Sequence, residues 1–291
     1  DAAYQARVSK AAQLIAENRK NSPIVLLSGP SGSGKTTTSM KLADELERIG
    51  IKTHYVGMDD YFKTIDPATV PRTPEGEMDL ESPRCMDMEL LNKHFTMLSK
   101  GERIFVPKYE FSRKMRVQSP SKSIKLGKDE IVIFEGIHAL NPALTPAIPQ
   151  DKIFRIYISA LTALPGGTKD HNSTTDKRLL RRIVRDNRTR GISPEQNILR
   201  WPSVRRGEVK YIFPFEENAN LVFNSSTLYD LPLLKYYAEP LLRRIAPSSP
   251  AYTEAIRLLK FLDYIVALSP EEISAIPPTS IMREFIGGQR L

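Results

Sequence analysis

With 291 residues, 41% of them hydrophobic and 26% charged, the chain has enough material for one large or two small globular domains with a sizeable core. No apolar run approaches a membrane span, the N-terminus reads as a charged helix rather than a signal peptide, and the single cysteine, Cys85, excludes an internal disulfide framework. These features predict a cytoplasmic protein with no membrane partner, and much of its net charge of +8 lies in one stretch, Lys177 to Arg190, where nucleotide phosphates explain it at least as well as nucleic acid.

In chain order, residues Ala2 to Asn18 read as an amphipathic helix, with Val8, Ala11, Ala12, Leu14 and Ile15 on one face. Ile24 to Ser28 is an apolar run that reads as a buried strand, and SGPSGSGKTT follows it over Ser28 to Thr37. That stretch fits G-x-x-x-x-G-K-[ST], with Gly29, Gly34, Lys35 and Thr36 at the fixed positions; chance gives this register in roughly one chain in a hundred of this length. Backbone N–H groups must converge on a polyphosphate there, so glycine is needed wherever a side chain would block the approach. Lys35 would reach the outer phosphates, the Thr36 hydroxyl would bind Mg²⁺, and the helix from Lys35 to Arg48 would point its positive end at the site. Ser31, Gly32, Ser33 and Thr37 complete the expected ATP cradle.

Lys52 to Met58 predicts a second strand, running into Asp59-Asp60-Tyr61-Phe62. Ligands of open α/β sheets bind beyond the carboxyl ends of strands, where a carboxylate can take a proton from an attacking hydroxyl. Adjacent residues on an extended backbone point opposite ways, so one of the two acids faces the site. Ile104 to Phe111 and Ser123 to Leu126 predict an antiparallel hairpin across the Pro/Ser/Lys-rich stretch between them. Ile131 to Glu135 reads as a third buried strand ending in an acid suited to supporting Mg²⁺. Ile153 to Ser159 and Leu221 to Asn224 complete five strands separated by long or helical connections, which argues for right-handed crossovers and an α/β layered fold.

The polar stretch Leu161 to Asp176 leads to an Arg-rich helix, Arg178 to Arg190, with Thr174, Thr175 and Asp176 offering N-cap chemistry. A solvated basic face is the default reading of that helix, and a lid neutralising a transferring phosphoryl group is the sharper one. Trp201 reads as a packing anchor. His138 reads by default as a structural histidine, with an acceptor-facing role as the alternative, and the four histidines show no zinc-like spacing. Tyr252 to Ala267 predicts a helix packed on the core through Ala255, Leu258, Leu259, Leu262 and Ile265.

The blocks GPSGSGKTT, MDDYF, MDLESPRCMD, VPKYEF, FEGI and RLLRRIVRDNRTRG, in that order over about Ile24 to Asn224, resemble the uridine kinase / phosphoribulokinase family of P-loop kinases. The resemblance implies a P-loop NTPase three-layer α/β fold with a mostly parallel five-stranded sheet, a hairpin insertion, an Arg-rich lid and a C-terminal helical extension. It further implies Asp59 as general base, Phe62 as an aromatic beside a nucleoside, and Asp79 as the acid holding ribose hydroxyls. Tyr109 and Phe111 would contact the base, Glu135 would lie near Mg²⁺, and Arg182, Arg185 and Arg190 would be lid arginines near the phosphates. The chain departs from short uridine kinases at Ser112-Arg113-Lys114, where they carry a histidine, and at Ile192, where they carry a basic residue. Arg200 to Gly207, expected as a polar loop, and the terminal block Arg283 to Gly288 look like a longer bacterial-type branch that has an additional N-terminal region.

The expected organisation is therefore an N-terminal helix over 1–22, a kinase domain over 23–230 with a lid at about 161–207, and a helical extension over 231–291. The expected activity is ATP- and Mg²⁺-dependent phosphorylation of a small-molecule hydroxyl, foremost the 5′-OH of a nucleoside. A kinase for pantothenate or a sugar phosphate, and a non-catalytic nucleotide-binding regulatory module, are the alternatives. The oligomeric state is left open.

Overall fold

Strand β1 (Ile24–Ser28) is buried along its whole length because it lies at the centre of a parallel sheet covered on both faces. This computed structural model describes residues 1–110, 113–146, 148–161 and 171–290, with side chains from 174 onward in the last segment. Around β1 are α1 (Ala2–Asn18), α2 (Lys35–Arg48), β2 (Thr53–Gly57), α3 (Met88–Ser99), the hairpin β3 (Ile104–Glu110) and β4 (Met115–Ile124), β5 (Ile131–Glu135) and β6 (Ile153–Ser159). Then follow α4 (His171–Thr189), α5 (Pro194–Tyr211), β7 (Leu221–Asn224), α6 (Asp230–Leu242), α7 (Tyr252–Asp263), and the short α8 (Pro270–Ser274) and α9 (Arg283–Ile286).

The five sheet strands run in the order β2-β5-β1-β6-β7 and every pair is parallel. Side chains alternate across a strand, so each continuous apolar run supplies two cores. Val25, Leu27, Ile131, Ile133, Ile156 and Ile158 face one core, shared with α1, α2, α4, α6 and α7 and with Ile281 and Phe285 near the C-terminus. Ile24, Leu26, Val132, Phe134 and Tyr157 face the other, shared with α3 and the hairpin. This is the three-layer α/β fold expected from the sequence. Gly50 (φ 83°) follows α2 as its C-terminal glycine, and the Ile51 N–H returns to the Leu46 carbonyl.

Four local expectations are corrected. The hairpin's second strand is the Pro/Ser/Lys-rich stretch itself, with Ile104 opposite Ile124 and Glu110 opposite Met115. Pro120 is tolerated in that strand because the ladder is irregular between Val106 and Lys108 and β4 is exposed there. Helix α4 begins at His171, so Thr174, Thr175 and Asp176 are not its N-cap, and Asp176 instead accepts both ends of the Arg257 guanidinium at 2.6 and 2.8 Å. Arg200 to Gly207 lies within α5, and α7 stops at Asp263, four residues short of Ala267.

Candidate active site

The carboxyl ends of β1, β2 and β5 meet at one place, since Glu135 pairs in register with both Leu27 and Gly57. The glycine loop leaves β1 there. A Cβ on Gly29 would stand 2.3 Å from the Ile158 carbonyl oxygen, one on Gly32 (φ 76°) 2.8 Å from the Arg178 carbonyl oxygen, and one on Gly34 (φ 80°) 2.6 Å from Ile281 Cδ1. Glycine is therefore required by close approach to backbone at Gly29 and Gly32, and by backbone conformation at Gly32 and Gly34.

Helix α4 braces this loop from behind. Arg178 donates to the Ser31 carbonyl (3.2 Å), Arg181 to the Gly32 carbonyl (3.2 Å), Arg182 to Ser31 Oγ (3.3 Å), and the Ser225 hydroxyl to the Ser33 carbonyl. In a trans peptide the N–H points opposite the C=O, so holding the Ser31 and Ser33 carbonyls from one side turns the Gly32 and Gly34 N–H groups to the other. Those groups, with the first turn of α2, form the concavity. No side chain caps the N-terminus of α2, and the Ser33 hydroxyl is buried without a hydrogen-bond partner among the described residues. Both observations fit a polyphosphate cradle.

Lys35 folds back over the loop, its Nζ 3.3 Å from the Pro30 carbonyl. Burial lowers its pKa, opposed by the charges of Glu135, Asp59 and Glu284. Thr36 donates to Glu135 Oε2 at 3.2 Å, and the Tyr55 hydroxyl donates to the same oxygen at 3.2 Å. Burial pushes the Glu135 carboxyl up to about 6, against the pull of Lys35. One hydroxyl and one carboxylate make the sparse donor set with which proteins hold Mg²⁺, the rest coming from phosphates and water, and the pair fits that ion.

Asp59 and Asp60 go to different partners, but not for the reason expected: Met58–Tyr61 is a 3-10 turn rather than extended backbone, and its side chains fan out around the turn. Asp60 Oδ1 accepts the Tyr109 N–H at 3.3 Å and ties the hairpin to the β2 loop. Asp59 is an exposed residue in the field of Lys35 and Arg190, and desolvation of its carboxyl raises its pKa against both cations. On the acceptor side the rings of Phe62 and Tyr109 meet at 5.7 Å, tilted by 54°. Asp79 Oδ2 accepts the Tyr211 hydroxyl at 2.7 Å. Phe111 lies outside the described residues.

The arginine-rich helix is neither a solvated face nor wholly a lid. Arg178 and Arg181 are buried in ion pairs, the first bidentate to Glu208 at 2.6 and 2.7 Å and the second 2.5 Å from Asp230. Arg178 also lies over the Trp201 ring at 5.4 Å, and Trp201 is buried in the core. Removing one partner strands a buried charge, so Glu208→Ala is expected to destabilise the fold by about 3–5 kcal/mol. Thermal melts check this; the Arg178→Met, Glu208→Leu double variant should recover much of the loss.

Arg182, Arg185 and Arg190 converge on one fully buried carboxylate, Asp186, at 3.4, 2.8 and 3.5 Å. Three guanidinium groups on one acid leave a net positive cluster beside the loop. Sequence reasoning passed over Asp186, although 182, 186 and 190 share a helical face. It also missed Tyr55 and Tyr211, for which no local signal exists. His138 is 2% exposed, its ring edge-on to Tyr211 at 6.2 Å, and burial pushes its pKa down to about 4, so it is neutral at pH 7.

A family profile described as "Phosphoribulokinase / Uridine kinase family" matches residues 24–231. The uridine kinase of Saccharomyces cerevisiae is 27% identical over 203 residues, which cover 69% of this chain and 36% of that protein. The uridine kinase of Macrococcus caseolyticus is 29% identical over 200 residues, covering 68% of this chain and 86% of that one. Among solved structures, a Silicibacter protein provisionally described as a fructose transport system kinase superposes with a TM-score of 0.51 at 20% identity, covering 74% of this chain and 98% of that one, a likeness of fold. The profile takes in the glycine loop, the β2 and β5 carboxylates and the arginine helix together, and on that ground the chain belongs to the phosphoribulokinase / uridine kinase family.

Proposed function

We propose that this chain is an ATP- and Mg²⁺-dependent kinase that phosphorylates the 5′-hydroxyl of a ribonucleoside. The observation that carries the reading is the divergence of Asp59 and Asp60: one carboxylate is spent on the hairpin, and the other stands in the field of Lys35 and Arg190. A pure nucleotide-binding module needs no such acid on the acceptor side. Bound ATP would supply the phosphoryl group, and Mg²⁺ held by Thr36 and Glu135 would neutralise its charge.

The chain's own residues do the rest. Gly29 to Thr37 position the phosphates through backbone N–H groups, and Lys35 adds a point charge. Asp59 orients the acceptor hydroxyl and takes its proton at a carboxylate oxygen. Arg185 and Arg190, gathered by Asp186, stabilise charge that grows on the transferring group. Arg185→Ala or Arg190→Ala is expected to lower kcat by about 10²-fold while raising KM for ATP much less, because preorganised donors act mainly on the transition state. Steady-state kinetics decide it; an unchanged kcat with weaker ATP binding would reduce these arginines to nucleotide anchors.

For the acceptor, Asp79 suits vicinal ribose hydroxyls, and Phe62 and Tyr109 suit stacking on a base. Uridine and cytidine rank first on the family likeness, purine nucleosides next. A panel of ribo- and 2′-deoxynucleosides with ATP and Mg²⁺ tests this. Ribonucleosides should be preferred, and Asp79→Ala should erode the preference by about tenfold, the worth of one charged hydrogen bond. Turnover of pantothenate or a sugar phosphate with every nucleoside inert would overturn the substrate class and leave the kinase standing.

A further inference from the structure

The last residues of the chain reach the phosphate loop. Ile281, Met282 and Phe285 are fully buried in the core shared with α4, and Ile281 is the side chain that closes the space at Gly34. Helix α4 clamps the segment: Arg188 donates to the carbonyls of Phe285 (3.3 Å) and Glu284 (3.1 Å), and Arg181 lies 4.9 Å above the Phe285 ring. Gly287 (φ 98°) and Gly288 (φ 75°) then reverse the chain, so that two side chains of the segment meet one hydroxyl of the loop. Thr37 donates to Glu284 Oε2 at 2.5 Å and accepts from Gln289 Nε2 at 3.0 Å. These contacts span 247 and 252 residues, and Glu284 and Gln289 lie beyond the residues matched by the family profile.

Thr37 stands in the first turn of α2, whose N-terminal end draws anions. A carboxylate held there puts a negative charge where a polyphosphate would bring its own. The charge of Glu284 is felt by Lys35 and by Arg190, the cations the phosphates would engage. With its proton given to Glu284 and a lone pair taken by Gln289, the Thr37 hydroxyl is oriented by the C-terminal segment.

We propose that residues 281–289 form a wall of the donor-nucleotide site, in which Glu284 and Gln289 fix the Thr37 hydroxyl and Glu284 holds nucleotide affinity down by opposing the polyphosphate charge. The proposal rests on the reading that a nucleotide binds the glycine loop. Its consequence is quicker release of the diphosphate product, at the expense of weaker ground-state binding.

The test is direct binding of ATP, ADP, AMP and adenosine by calorimetry, with no acceptor present, to the full chain and to two variants. Glu284→Gln keeps the shape and an acceptor for the Thr37 hydroxyl but removes the charge. It should tighten ADP and ATP by about 3- to 10-fold, leave adenosine unchanged, and lose the gain as salt rises. Gln289→Glu, which adds a charge at the same place, should weaken ADP and ATP by a similar factor. Equal or weaker ADP and ATP binding by Glu284→Gln, with the parent chain binding both normally, would overturn the proposal and reduce the segment to packing. Failure of the parent chain itself to bind any phosphorylated nucleotide would instead overturn the donor-site reading on which it rests.

Discussion

Lys35→Ala is expected to lower kcat by 10²- to 10³-fold or more, the largest loss of any single substitution in the loop. The reason is geometric as much as electrostatic. The loop otherwise offers backbone N–H groups, and α4 spends Arg178 and Arg181 on buried partners at Glu208 and Asp230. The other arginines beside the loop, Arg182, Arg185 and Arg190, are tethered to Asp186 and do not stand in for the ammonium. Lys35→Arg should rescue poorly, because a planar guanidinium fork does not reproduce the compact ammonium held at the Pro30 carbonyl. The fold should survive the change, since among the described residues the ammonium donates one hydrogen bond, to the Pro30 carbonyl. Thermal melts within a degree or two of the parent protein, together with the kinetic loss, would attribute the effect to chemistry. Near-normal turnover in Lys35→Ala would remove the phosphate-loop assignment altogether.

The parts of this fold that were legible in the sequence are those where one local pattern has one physical cause. β1, β5 and β6 are buried on both faces, so they read as apolar runs, in β6 interrupted only by the buried Arg155, and their bounds follow from the sequence. The glycine loop was legible because both its dihedrals and its close contacts demand glycine. The hairpin was half legible. Its first strand follows from the pattern and the expected second strand overlaps the real one only at Ser123 and Ile124, because a proline and five polar residues over Gln118 to Ser123 look like a turn until the partner strand is seen.

At the site, one-dimensional reading ran out where contacts are remote or where a helix turns its faces unequally. The pairing of Asp79 with Tyr211 spans 132 residues, and that of Thr37 with Glu284 spans 247. Nothing in either neighbourhood announces them. In α4 the arginines at 178 and 181 are structural, whereas those at 182, 185 and 190 share Asp186. All five have the same composition signal, and only packing against α5, α6 and the loop separates them.

Asp59→Asn is the sharpest remaining test, with kcat expected to fall by about 10²- to 10⁴-fold while ATP affinity stays within a factor of a few. Asparagine keeps the size and can still orient a hydroxyl, so the loss isolates proton acceptance. The neighbouring substitution is the internal control. Asp60→Asn retains an oxygen that can accept the Tyr109 N–H, and its effect should remain below about fivefold. The pH profile adds an independent reading. Desolvation of its carboxyl raises the Asp59 pKa even though the residue as a whole is exposed, so the carboxylate takes up a proton at a pH where a fully hydrated aspartate, with its pKa near 3.9, is still ionised. A base must be ionised to work; the rate therefore falls as pH drops through the raised value, and the acid limb of kcat/KM for the acceptor should sit above the usual aspartate range. Glu135, pushed up to about 6 by burial in the unliganded protein, titrates on the same side. Only Asp59→Asn should lower the plateau of the rate as well as altering the limb, whereas a limb that belonged to Glu135 alone would persist unchanged in that variant. A large loss in Asp60→Asn with near-normal Asp59→Asn would reverse the choice between the two acids and place the acceptor hydroxyl on the hairpin side of the loop.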